Sequence, residues 1–198
     1  MYKVYGPVLT RTFRVIWMLE EMQEPYELIP AAPRSPEILS LNPSGKVPVL
    51  VDDDRAVCDS SAIMTYLADK HGTLTYPAGS PERAEQDALF HTILDEIDGV
   101  LWVATRHAFI LPEDKRVPAI RDTAIWEFDR NYQRLADRLK GPFLMGETMT
   151  IADILLVHCM SWAKTAGYPL NSKPLSAYGK HMRKRPGHQR TVALGQTT

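Results

Sequence analysis

The stretch Asn42-Pro-Ser-Gly-Lys-Val-Pro-Val-Leu-Val51, running on to Asp59-Ser-Ser-Ala-Ile-Met-Thr-Tyr-Leu67, decides how this chain folds. Asn42-Pro43-Ser44-Gly45 is a turn cluster, and Val47 to Val51 is a largely β-branched run interrupted by Pro48. Proline removes a ladder donor, so it belongs at the start of a strand rather than inside one, and a cis Val47–Pro48 bond fits that place. Such a bond would turn the backbone N–H and C=O of Val47 outward, free to pair with an extended peptide. Asp59 or Ser60 then N-caps a helix that carries Ile63, Met64 and Leu67. A helix N-terminus with free N–H groups and hydroxyls favours a carboxylate. Backbone pairing beside a positive helix end suits a small peptide with an α-carboxylate. The plainer reading is that Asp59 and Ser60 cap their own helix and nothing more.

Working outward, Tyr2 to Tyr5 reads as a strand stopped by Gly6-Pro7, and Arg11 to Met22 as a helix. Pro25 to Ile29 reads as a second strand, which makes a parallel pair with a right-handed crossover. A short helix near Glu37 to Leu41 precedes a hairpin, Val47 to Val51 and Ala56 to Cys58, turning over Asp52-Asp53-Asp54. With the helix over 60–70 this gives a βαβαββα, thioredoxin-like domain over residues 1–72. Residues 73–81 are polar, rich in turn formers and contain Pro77, as a linker would be.

Residues 82–198 read as an all-helical second domain. A long helix over Pro81 to Ile110 places Leu89, Ile93, Ile97, Val100 and Ala104 on one stripe. A second, about 119–140, is expected to stop at Gly141-Pro142. Thr150-Ile-Ala-Asp153 is a capping box, with Met149 and Ile154 spaced as a hydrophobic staple, opening a helix over 151–166. The basic run Lys180 to Arg190 reads as a solvated final helix.

The chain has 198 residues, 44% apolar and 24% charged, with a formal net charge of −1. That is an ordinary globular composition with no global field for nucleic acid or an anionic membrane. Cys58 and Cys159 form no C-x-x-C pair, and neither they nor His91 and His107 have metal-ligand spacing. A reducing, cytoplasmic compartment and no metal are expected. The chain opens on a strand rather than a leader, and its apolar runs fall far short of the roughly 20 residues a bilayer needs.

The two motifs N-P-x-G-K-V-P-x-L (42–50) and D-S-x-A-I-x-x-Y-L (59–67), in this order and at this gap, resemble the glutathione-binding half of the cytosolic glutathione S-transferases. More weakly, the likeness extends over nearly the whole chain. The resemblance implies glutathione as co-substrate and a symmetric homodimer that conjugates glutathione to small apolar electrophiles, a detoxification reaction. It implies that Val47, before Pro48, pairs with the cysteinyl backbone of glutathione. Asp59 and Ser60 would hold the γ-glutamyl end, with Lys46 near the glycyl end. A glutathione-binding module with little or no catalysis, or a glutathione-dependent isomerase, are the alternative functions.

Making the thiol ionise is the chemical task. A thiol of pKa about 8.5 is only a few per cent thiolate at neutral pH. A fall of two units requires roughly 2.7 kcal/mol of preference for the anion, and one hydrogen bond to a charged group supplies about 1.5–3 kcal/mol. One hydroxyl donor is nearly sufficient. Between the first strand and first helix stand Tyr5, Thr10 and Thr12. In the serine-type members the resemblance points to, the catalytic serine stands four residues before the arginine of the first helix. Counted back from Arg14, that is Thr10, a threonine where serine is usual. Tyr5 at the strand end is the tyrosine-type alternative and Thr12 the third candidate; capping of the first helix by Thr10 is compatible with catalysis. A cysteine here would have meant thiol exchange, and none is present. Trp102, Arg106, His107 and Phe109 on the long helix are candidates for the electrophile pocket, and Asp95 and Asp98 for reaching a partner subunit's glutathione.

Overall fold

The computed structural model describes residues 1–197. It divides into two compact units, Met1–Pro77 with the chain from Met182 onward, and Ala78–His181. The expected division was 1–72, a linker over 73–81, and 82–198; the last stretch instead returns to the first unit.

The first unit is built on a four-stranded sheet of order β2-β1-β3-β4, with β1 Tyr2–Tyr5, β2 Tyr26–Ile29, β3 Val49–Asp52 and β4 Arg55–Cys58. β1 pairs parallel with β2 and antiparallel with β3, and β3 pairs antiparallel with β4. Helices α1 (Phe13–Met22), α2 (Pro36–Leu41) and α3 (Ser60–His71) complete the thioredoxin-like βαβαββα order. Val4, Val49 and Leu50 from the strands, Val15, Ile16, Met18 and Leu19 from α1, and Ile63, Met64 and Leu67 from α3 are fully buried. Burying each such side chain is worth about 1.5–3 kcal/mol. Tyr5, Val49 and Cys58 stand side by side in register. The loops after β1, before β3 and after β4 therefore leave the sheet at one end.

Helix α9 (Pro186–Thr197) packs on α1. Two arginines of the basic tail are thus paired, while Lys180 and Lys184 stay exposed. Arg185 grips the Glu21 carboxylate at 2.7 and 3.0 Å, and Arg190 bonds the Glu20 carboxylate. His188 is buried edge-on against Phe13 and Trp17, with ring centroids 5.4 and 4.8 Å away. Burial, and then Arg183, push its pKa down from 6.5 to about 4 against the pull of Glu21.

The second unit is helical. α4 (Pro81–Ile93) runs on through a π-type stretch, Leu94–Gly99, into α5 (Val100–Thr105) and a further π-type turn, Arg106–Ile110. The long helix expected over 81–110 is therefore continuous but unevenly wound. α6 (Ile120–Ala136) stops short of Gly141, because Arg138 and Leu139 bond carbonyls three residues back and tighten the last turn. α7 (Ile151–Thr165) is the core helix, buried over most of its length, and α8 (Lys173–Arg183) follows it. The capping box forms as expected. Among the described residues no helix is long and apolar enough to cross a membrane.

Candidate functional site

The loop before β3 is held by one side chain. Asn42 donates from Nδ2 to the Lys46 carbonyl at 2.9 Å, while its Oδ1 accepts from the Ser44 N–H at 3.1 Å and the Ser44 hydroxyl at 2.8 Å. Gly45 sits at φ +68°, where a side chain would press against Arg34. The Val47–Pro48 bond is cis. Pro48 is buried, Val47 half-buried and Lys46 exposed. Among the described residues the backbone N–H and C=O of Val47 have no protein partner, and neither has the Lys46 ammonium.

The loop after β4 ends in the cap of α3, and Asp59 rather than Ser60 is that cap. Asp59 adopts φ 73°. Its Oδ1 accepts from the Ser61 N–H at 2.8 Å, the Ala62 N–H at 3.3 Å and the Ser61 hydroxyl. Oδ2 has no partner among the described residues. Burial alone would raise the Asp59 carboxyl, but the Ser61 and Ala62 donors and the Arg14 charge outweigh it and hold the pKa below the ordinary value.

Ser60 is buried, and its Oγ accepts from Arg14 Nη1 at 3.1 Å. Arg14 is itself 1% exposed, a cation enclosed at the start of α1. In the sequence Arg14 serves only as a landmark, and Ser61 carries no signal of its own. The available signal was a lone basic residue at the head of the apolar run Val15 to Leu19, which must find a partner to be buried.

Between β1 and α1, residues Val8–Thr12 form a single irregular turn, with Thr10 off helical geometry at φ −111°, ψ −163°. The Thr10 hydroxyl donates to the Pro7 carbonyl at 2.8 Å and lies 2.9 Å from the Thr12 hydroxyl. It also accepts the Thr12 N–H at 3.2 Å, a local cap for a helix that has no cap bond from Thr12 itself. Thr10 is half-buried and Thr12 enclosed, so the Thr12 hydroxyl is closed to solvent. Gly6, at φ +132°, lets the strands approach. A methyl there would collide with Thr12 Oγ1 and sit 2.9 Å from Val47 Cβ. Tyr5 is half-buried, and its hydroxyl has no partner among the described residues.

A family model described as the glutathione S-transferase N-terminal domain matches residues 11–70. The glutathione S-transferase GST-4.5 of Xanthomonas campestris pv. campestris is 31% identical over 166 residues, covering 80% of this chain and 81% of that one. The chain belongs to the glutathione S-transferase family. With that family comes its class of enzyme, glutathione transferase. In fold it is similar to the glutathione transferase from Methylococcus capsulatus str. bath, at a TM-score of 0.87 and 24% identity over 100% of both chains. It is also similar to the glutathione transferase URE2P8 of Phanerochaete chrysosporium, solved with oxidized glutathione, at a TM-score of 0.85 and 21% identity over 99% and 95%.

In this glutathione transferase the four residues expected around the electrophile lie on one winding stretch of the second unit. Arg106 stands 6.0 Å over the Trp102 ring, His107 Nδ1 accepts the Val117 N–H at 3.0 Å, and Phe109 is 64% exposed. His91 is exposed, and Asp98 is buried within hydrogen-bonding range of the Cys159 thiol, while Asp95 is exposed. Among the described residues no group of three or more His, Cys, Asp or Glu side chains is placed to hold a metal.

Proposed function

We propose that this protein conjugates glutathione, as its thiolate, to small apolar electrophiles, with Thr10 the hydroxyl that stabilises the sulfur anion. The observation that carries the reading is the shared sheet end, where Tyr5, Val49 and Cys58 lie in register and the Thr10, Val47 and Asp59 loops all begin or end. The cysteinyl backbone pairs with the free N–H and C=O of Val47. The γ-glutamyl ammonium meets Asp59 Oδ2, the γ-glutamyl carboxylate meets the Ser60 hydroxyl, and the Lys46 ammonium faces the glycyl carboxylate. The Thr10 proton turns from the Pro7 carbonyl to the sulfur. The thiol proton leaves to solvent, the sulfur forms a bond to the electrophilic carbon, and the displaced group departs with the electron pair. No metal takes part.

Trp102 and Phe109, flanked by Arg106 and His107, receive the apolar electrophile. The protein works as a symmetric homodimer in the cytoplasm, in detoxification; both cysteines are free thiols, which fits a reducing compartment.

The test is retention on immobilised glutathione with release by free glutathione, followed by conjugation of an activated aryl halide. Thr10→Val should lower the conjugation rate at least tenfold while retention persists. Unchanged rates in Thr10→Val, with loss in Tyr5→Phe, would move the donor to Tyr5. Failure of the parent to be retained would overturn the reading as a whole.

A further inference from the structure

We propose that Thr12 is a positioning residue that makes Thr10 an obligate donor, so that the site favours the thiolate form of glutathione over the neutral thiol. This rests on Thr10 as the sulfur's partner. The argument is a count of protons and lone pairs. A hydroxyl has one proton and two acceptor sites. Thr12 is fully buried, and among the described residues its hydroxyl touches no polar group but Thr10 Oγ1, at 2.9 Å. A buried hydroxyl proton goes to a partner, so Thr12 donates to Thr10. The Thr12 N–H donates to the same oxygen at 3.2 Å. Both acceptor sites of Thr10 are then occupied, and its single proton, lying on the Pro7 carbonyl at 2.8 Å, is all it has to offer a ligand.

The chemical consequence is a filter on protonation state. A threonine with a free lone pair can accept from a thiol S–H as readily as it can donate to a thiolate, and a bond to the neutral form opposes ionisation. With both lone pairs filled, Thr10 can only donate, and the anion is a far stronger acceptor than the neutral thiol sulfur. The two incoming bonds also polarise the Thr10 oxygen and strengthen its donation. Gly6 belongs to this device, since any side chain there would strike Thr12 Oγ1.

The experiment is the ultraviolet absorbance of the bound thiolate against pH in the parent, Thr12→Ala, Thr12→Ser, Thr10→Val and the double variant Thr10→Val/Thr12→Ala. Retention on immobilised glutathione and thermal midpoints are measured alongside. Thr12→Ala should raise the bound thiol's pKa by about half to one unit, the worth of one neutral hydrogen bond, with retention unchanged. Thr12→Ser, which keeps the hydroxyl, should restore the parent value even if both variants lose some stability. The double variant should titrate like Thr10→Val alone, because Thr12 acts through Thr10. An unchanged pKa in Thr12→Ala beside a raised one in Thr10→Val would overturn this inference and leave Thr10 in place. A further rise on adding Thr12→Ala to Thr10→Val would also overturn it. An unchanged pKa in Thr10→Val would overturn the assignment on which it rests.

Discussion

Asp59 before α3 and Asp153 in the first turn of α7 both accept backbone N–H groups at a helix start, and the two are spent in opposite ways. Asp153 is fully buried and fills both oxygens from the protein. Oδ1 accepts the Leu144 N–H at 2.8 Å and the Tyr178 hydroxyl at 2.9 Å, and Oδ2 accepts the Thr150 N–H at 2.8 Å and the Thr150 hydroxyl at 3.2 Å. Burial pushes its carboxyl above the ordinary value against those four donors. Asp59 is exposed, caps with Oδ1 alone, and keeps a carboxyl held below the ordinary value with Oδ2 uncommitted. One carboxylate is consumed in folding and the other is left half unused. An aspartate at a helix start thus tells structure from site only through what its second oxygen meets.

The largest effect should come from Asp153→Ala. It strands two backbone N–H groups and two hydroxyls in the core, and should cost on the order of 3–5 kcal/mol in thermal or denaturant unfolding. A loss near that of a surface cap would break the contrast. His188 belongs with Asp153 as an ionisable group enclosed for packing, and its signature is pH dependence. Its folded pKa of about 4 lies below the ordinary 6.5. Between those values the unfolded chain binds a proton that the folded chain does not, so stability is complete above about pH 6.5 and falls as pH drops toward 4. The loss should approach about 3 kcal/mol at the acid end, and His188→Phe should flatten that part of the melting-temperature profile. An equal slope in both proteins would remove His188 from the comparison.

Asp59→Asn sharpens the contrast from the other side. Asparagine caps as well as aspartate, so the unfolding free energy should hold to within about 1 kcal/mol. Affinity for glutathione should fall about tenfold, the difference between a charge-assisted and a neutral bond. Loss of stability without loss of affinity would make Asp59 another Asp153. Ser60→Ala should have the smallest effect, a severalfold weaker retention with about 1 kcal/mol of stability lost because Arg14 gives up a bond. Retention equal to the parent would misplace the γ-glutamyl contact.

The thioredoxin-like order was legible because it is written locally, in β-branched runs, in Gly6-Pro7 and Asn42 to Gly45 as stops, and in a proline that fits only a strand's start. The Thr150–Asp153 box was legible for the same reason, since its partners are three residues apart. What escaped was set by distant partners. Arg185 and Arg190 look like a solvated basic face until Glu20 and Glu21 are brought beside them, and His188 shows nothing in sequence of its place between Phe13 and Trp17. Arg14 is a helix residue by pattern, and its bond to Ser60 spans 46 positions. Asp59 rather than Ser60 is the cap because the Ser60 hydroxyl is taken up by Arg14, while Asp59 Oδ1 accepts the Ser61 and Ala62 N–H groups.

The return of the chain from Met182 onward to the unit that begins at Met1 bears on how the protein is made. On the ribosome the whole sheet emerges with the flank of α1 around Phe13 and Trp17 still bare, and stays so while residues 78–181 are synthesised. Exposed apolar surface of this kind is what a nascent chain risks aggregating through. Only the arrival of α9 shuts it, so residues 1–77 finish folding after the helices that follow them have been made.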